Sequence, residues 1–347
     1  MRFPGISSRA YEHPTDRGAL AVLRSVPGFD TVFKAMAGAV SDRAERLLFL
    51  SSAVRAGPGQ YPELAQLRDE CVSTLDVPFV PELYVFRSPE ANAMTIGMDS
   101  PFIALTTELV SLLDADGLLF TIGHEMGHVL SGHAVYRTML YHLTRLATRL
   151  AWFAIGYIGL RVIIAGLEEW YRKSELSCDR AGVLAGQDPA AGRRALMKLA
   201  GGAKMSELSH DAFQQQAREY DAVPDVREGL IKLLQMQGTT HPFAVVRFAE
   251  LDRWVREEDY EAILSGEYPR REDDPQVSVS EEMKAAAKSY QDSWSRTSDP
   301  FVGLVKGFAE TAAGAGAQLF GGLFGRPGNG GSEGSGGSGG SGGSSSD

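Results

Sequence analysis

Apolar residues recur along most of this chain with the three-to-four-residue period of amphipathic helices. Phe29, Val32, Phe33, Met36 and Val40 make one such face within a helical stretch over 13–50. Gly57-Pro58-Gly59 interrupts the pattern, and a helix over 61–74 follows. Strand-like runs at 82–87 and 101–106 are separated by a turn-rich Ser88–Ser100 segment. The spacing then predicts helices at about 107–113, 115–133, 139–167, 169–185, 189–200, 209–219, 224–236 and 243–256, with a weaker one at 280–291. The helix over 115–133 is the best defined. Ser111 to Asp116 supplies cap residues and first-turn acids, and Leu118, Ile122, Val129 and Leu130 sustain its stripe. These elements predict a predominantly helical α+β fold with a small β-sheet.

Residues 1–78 read as an N-terminal helical region and 79–268 as the main domain, with a basic, apolar helical insertion at about 134–170. Residues 269–299 read as an acidic and polar linker, 300–325 as weakly amphipathic, and 326–347 as a disordered Gly/Ser-rich tail. Leu150 to Leu167 is almost wholly apolar, the composition of a short membrane span. Between Val129 and Leu167 stand Arg137, Arg145, Arg149 and Arg161 and no acid, which suits an interfacial helix. A buried helical hairpin is the favoured reading; peripheral membrane contact through 134–170 or 300–325 is the other.

Charge and cysteine content narrow the setting. The 34 basic and 44 acidic residues leave a net charge of −10, which argues against nucleic-acid binding. Cys71 and Cys178 are too few for a disulfide framework, and no apolar leader follows Met1-Arg2-Phe3-Pro4-Gly5. A cytoplasmic protein without a signal peptide is expected.

The candidate chemistry lies in His124-Glu125-Met126-Gly127-His128. On a helix, the two histidines stack one turn apart and can reach a single zinc ion. Glu125 is offset by one position, suited to a general base rather than a ligand. The pattern points to metal-assisted hydrolysis of an amide. A catalytic zinc also needs a third protein ligand and an open position. His133 is in the wrong register: the extended metzincin pattern wants Gly three and His six residues after the second histidine, whereas Gly132 and His133 fall four and five after it. On a continuing helix, His133 would also point about 140° away from His128. Glu175 and Asp179, four apart, suit a ligand and a group that orients a ligand histidine; taken alone, the pair is better read as an exposed acidic helix face.

Together, His124-Glu125-x-x-His128, His133, Glu175-x-x-x-Asp179 and the late His241-Pro242 with Arg247 resemble the HtpX-type and CAAX-prenyl-endopeptidase-type zinc metallopeptidases, which are gluzincins. Asn92-Ala93, Ile103 to Thr107 and Leu112-Leu113 resemble that family's edge strand and short helix ahead of the metal helix. The resemblance covers roughly 80–256, with a weaker echo in 13–75. It implies a zincin-like peptidase core, one zinc ion per chain held by His124, His128 and Glu175, and water activation by Glu125. Asp179 would orient His124, His241 would hydrogen-bond the tetrahedral intermediate, and Arg247 would pair with an acidic neighbour. The strand holding Ala104 and Leu105 would pair with an extended substrate backbone. The implied activity is zinc-dependent endopeptidase action on peptide or unfolded-protein substrates, in protein quality control. The contrasting reading is a catalytically inactive, membrane-associated interaction protein on the same fold. Topology adds a constraint. One crossing at 150–167 would put His128 and Glu175 on opposite sides of a bilayer, and two crossings would need about 40 apolar residues.

Overall fold

The computed structural model describes residues 1–24, 29, 32–33, 42–149, 154–221 and 244–276. His241, the predicted helices at 224–236 and 280–291, and the segments 300–325 and 326–347 lie outside them. The helices are α1 (Pro14–Arg24), α2 (Asp42–Ser52), α3 (Pro62–Thr74), α4 (Thr107–Leu112), α5 (Ala115–Leu130), α6 (His133–Arg149), α7 (Ala154–Gly186), α8 (Pro189–Gly201), α9 (His210–Asp221), α10 (Ala244–Arg256) and α11 (Glu258–Ser265). The strands are β1 (Val54–Arg55), β2 (Leu83–Phe86), β3 (Ala93–Ile96) and β4 (Phe102–Thr106). The fold is thus predominantly helical with one small mixed sheet.

The sheet runs β1-β2-β4-β3, with β2 and β4 parallel and the outer pairs antiparallel. β3 lies inside the segment that the sequence marks only as turns. Its four residues are bounded by Asn92 and by Gly97 at φ 118°, too short a run to announce itself. Its position corrects one expectation. Ala104 is paired on both sides, with Tyr84 and Met94, and Leu105 with Val85 and Ala93. Both edges of β4 are therefore occupied, so Ala104 and Leu105 cannot pair with a substrate. Among the described residues the sheet's edge strands are β1 and β3, and β3 is the one beside the motif helix.

α5 begins where Asp114 accepts a hydrogen bond from the Gly117 N–H at 2.9 Å. It ends earlier than the periodicity suggests, because Gly132 adopts φ 69° and stops the helix. His133 consequently opens α6 rather than closing α5. A second difference follows it: 154–167 and 169–185 form one helix, since no residue around Glu168-Glu169 breaks it.

Two cores flank the motif helix. The larger joins Phe3, Ile6 and Tyr11 to Leu83, Ile103, Ile122, Met126, Leu184 and Phe248, so the N-terminal segment shares the core of the main domain. The smaller packs Tyr136, Met139 and Leu143 of α6 and Ile163, Leu167 and Trp170 of α7 against Ala19 and Leu23 of α1. The basic, apolar insertion is thus a helix pair with a buried face. Among the described residues no helix is long and apolar enough to cross a membrane. The expected linker also starts as structure: the Arg271 N–H donates to the Gly5 carbonyl at 2.8 Å, and Ser7 donates to Asp274 at 2.8 Å.

α5 and α7 approach at glycines. A Cβ on Gly123 would stand 2.4 Å from Ala185 Cβ, and one on Gly127 would stand 2.8 Å from Ala181 Cβ. On α7, a Cβ on Gly182 would meet the Phe120 carbonyl at 2.6 Å. Gly123→Ala gains about 1 kcal/mol of helix propensity but costs about 1–3 kcal/mol in overpacking, with backbone on the far side to prevent relief. Urea titration should show a lower midpoint for Gly123→Ala. Gly59→Ala, whose Cβ would meet nothing within 4 Å, should leave the midpoint unchanged.

Candidate metal centre

His124 and His128 project from α5 toward Glu175 and Asp179 on α7. All four side chains are buried. Glu175 Oε1 lies 3.1 Å from His128 Nε2, and Glu175 Oε2 lies 3.4 Å from His124 Nε2. The three residues each offer one ligating atom within 4.8 Å of the others. A tetrahedral zinc with bonds of 2.0–2.1 Å separates its ligand atoms by about 3.3–3.4 Å, so the donor chemistry and spacing suit such an ion. Two imidazoles and a carboxylate leave the fourth position open.

The surrounding contacts fix these side chains. His124 Nδ1 lies 3.0 Å from Asp179 Oδ1. Arg247, reaching in from α10, donates through Nε to Asp179 Oδ2 at 2.8 Å and through Nη2 to Oδ1 at 2.5 Å. Its Nη1 also lies 3.4 Å from Glu175. Glu125 is held from the sheet, where Thr95 of β3 donates to its Oε2 at 2.7 Å. Tyr171 stacks on the His128 ring at 5.4 Å, with 9° between the planes. Thr95 and Tyr171 are residues that spacing around the motif does not find. The second sits at i−4 from Glu175, a position that marks a shared helix face and no more.

Burial penalises a charged imidazole at both histidines. At His124 the Glu175 and Asp179 carboxylates outweigh it and raise the pKa to about 9. At His128 burial prevails and lowers the pKa to about 4, leaving a neutral ring with a lone pair at neutral pH. Burial alone would raise the Asp179 pKa, but the Arg247 charge and the bonds from Arg247 and His124 hold it below its ordinary value.

Two cavities flank β3. One of about 230 Å³ opens onto His124 and Glu125, with Asn92, Ala93, Phe120 and Arg247 among its walls. The other, about 520 Å³ and largely apolar, lies between the strand and the α6–α7 pair, beside Met94, Ile96, Phe49 and Tyr171. They meet at Asn92. Asn92 bonds Thr106 through both its N–H and its carbonyl. Strand alternation then turns the main-chain groups of Ala93 and Thr95 away from β4, Ala93 at the cavity wall and Thr95 fully buried.

A helix bearing H-E-x-x-H, packed on a small sheet and faced by a glutamate from a second helix, defines a metal-dependent peptidase. Comparison with known proteins gives the family: the model for peptidase family M48 matches residues 58–255. The chain belongs to peptidase family M48 and is a metalloprotease, with a peptide or protein as substrate. It is 34% identical over 269 residues to the plastoglobule-localized metallopeptidase 48 of Arabidopsis thaliana, covering 76% of this chain and 77% of that one. It is 29% identical over 224 residues to a protease HtpX homolog of Acidiphilium cryptum, covering 64% and 67%. An HtpX homolog of Salinibacter ruber is 23% identical over 223 residues, covering 59% and 79%. No solved structure matches significantly.

Arg247→Met would leave Asp179 buried without its cation, and breaking such a pair costs about 3–5 kcal/mol. The pH dependence carries a sign. A carboxyl whose folded-state pKa is depressed stabilises the fold above its ordinary value of 3.8, and that contribution is lost as the pH falls through the folded value. Without Arg247, burial raises the Asp179 pKa, so denaturant melts across a pH series should show the acid decline starting at higher pH.

Proposed function

We propose that this protein is a zinc-dependent endopeptidase that cleaves extended peptide or unfolded-protein segments, a role suited to protein quality control. His124, His128 and Glu175 hold one zinc ion per chain. The carrying observation is the convergence of these three buried side chains from two helices, beside a glutamate held by Thr95. Zinc, when bound, would polarise the scissile carbonyl and lower the pKa of a coordinated water to about 7.

The chain's own groups do the rest. Glu125 accepts a proton from the attacking water and returns it to the leaving amine. The Thr95 hydroxyl orients that carboxylate toward the cleft. Asp179 takes the Nδ1–H of His124, so Nε2, which gives up its own proton on metal binding, is the nitrogen presented to the ion, and Arg247 keeps Asp179 ionised. His241 donates to the oxyanion as it develops; Ala244, three positions further on, lines the cavity that also holds Glu125.

The substrate backbone pairs with the outer side of β3 at its Asn92–Ala93 end, which lines the cavity over Glu125, while Thr95 lies fully buried beyond it. Such pairing demands an extended chain, which favours peptides and unfolded segments over folded surfaces. Apolar substrate side chains fit the larger cavity beside Met94 and Ile96.

Glu125→Gln should retain about one zinc per chain, by elemental analysis, while casein cleavage falls about 10²–10⁴-fold. Glu175→Ala should lose both. Retained zinc and cleavage in Glu175→Ala would remove it from the ligand set, and full cleavage by Glu125→Gln would remove the base.

A further inference from the structure

The two ligand histidines are backed differently. Behind His124 stands a carboxylate, Asp179. Behind His128 stands another imidazole: its Nδ1 lies 3.3 Å from Nδ1 of His133. Across the His133 ring, Nε2 lies 3.4 Å from Asp16 Oδ2, near the start of α1. Ser177 donates to that same oxygen at 2.6 Å, and its Oγ accepts the His13 backbone N–H at 2.9 Å. His128, His133, Asp16 and Ser177 are all buried. The His133 ring is held edge-on between His128 and Trp170, at centroid distances of 5.4 and 5.2 Å.

Proton placement follows from the contacts. An imidazole that gives its Nε2 lone pair to a cation carries its proton on Nδ1. That buried N–H needs an acceptor, and His133 Nδ1 is in place to be one. His133 then bears its own proton on Nε2, facing the Asp16 carboxylate. Each nitrogen has one role, and the chain of contacts ends on a charge. Cys178 Sγ, 3.6 Å from His133 Nδ1, completes a second group of ligating atoms with His128 and His133. For that group to hold a metal, His128 would have to bridge two ions with both nitrogens deprotonated. A one-ion site asks for no such state.

We propose that His133 and Asp16 are positioning residues that fix the tautomer and ring orientation of His128, and that α1 is therefore part of the metal centre. The proposal rests on His128 being a ligand. It extends the working site beyond residues 58–255, where the family match lies, because Asp16 stands outside that range.

The test uses the full chain and reads zinc affinity by competition with a chromophoric chelator, together with the visible spectrum of the cobalt-substituted protein. His133→Phe fills the space against Trp170 but cannot accept a hydrogen bond, and Asp16→Ala removes the terminal charge. Each should weaken zinc binding about 10–100-fold and shift the cobalt bands. His133→Gln and Asp16→Asn keep an uncharged acceptor and should recover part of the loss. That graded rescue separates orientation of His128 from simple packing. Affinities and spectra equal to wild type in the Phe and Ala variants would overturn the relay. Should those two fail to fold, wild-type affinity and an unchanged spectrum in both conservative variants would overturn it as well. A second equivalent of cobalt with a thiolate charge-transfer band, abolished in Cys178→Ala, would also overturn it by making His133 a ligand. Zinc that survives His128→Ala would instead remove the ligand reading on which the relay stands, a result that none of the relay variants can mimic.

Discussion

The near-contact of α5 and α7 is the constraint on which the rest of the structure depends. Gly123 and Gly127 on one helix and Gly182 on the other remove the side chains that would hold the backbones apart. With the helices this close, the short side chain of Asp179 can meet His124, and Glu175 can reach both histidines. Zinc–ligand distances tolerate little slack, so an added methyl at this crossing acts on the site as well as on the packing. Helix propensity is given up there for reach.

α7 also ties the two cores together. Its first half packs Ile163, Leu167 and Trp170 against α1 and α6, and its second half packs Ala181 and Leu184 against the sheet-side core. Glu175, Cys178 and Asp179 sit at the changeover, where apolar packing gives way to a buried polar network. Burying so many polar groups is tolerable only because each is partnered: Asp179 by Arg247 and His124, Asp16 by Ser177 and His133, Glu125 by Thr95. The network draws on α1, β3, α5, α6, α7 and α10, so its geometry reports on the whole fold.

Much of this was legible in the chain because long helices advertise themselves. The 3.6-residue period located α3, α5 and α8–α10 to within a few residues, and the His124–His128 spacing marked a candidate metal-binding face without any tertiary information. Glu175 was harder, since an i,i+4 acidic pair looks the same on a solvated surface and in a metal site. The resemblance, not the spacing, singled it out. β3 was missed because four residues between Asn92 and Gly97 carry too little alternation, and with it went the pairing that occupies the second side of β4. His133 was weighed as a ligand in the register of a continuing helix. Gly132 ends that helix, and the change of axis brings the ring behind His128 instead. Asp16, more than a hundred positions away, has no local signature at all; only folding makes it a neighbour.

Among the described residues the sheet edge beside the site is β3, four residues long, walled by α5 on one face and by the α6–α7 pair across the larger cavity. On the reading given above, a target must surrender its own hydrogen bonds over a comparable length before it can be cut. The rate at which a folded protein is destroyed would then track how often that stretch of it comes loose, rather than the residues flanking the scissile bond. The enzyme would work as a gauge of local stability in other proteins, and its selectivity would be written largely in the folding energetics of its targets.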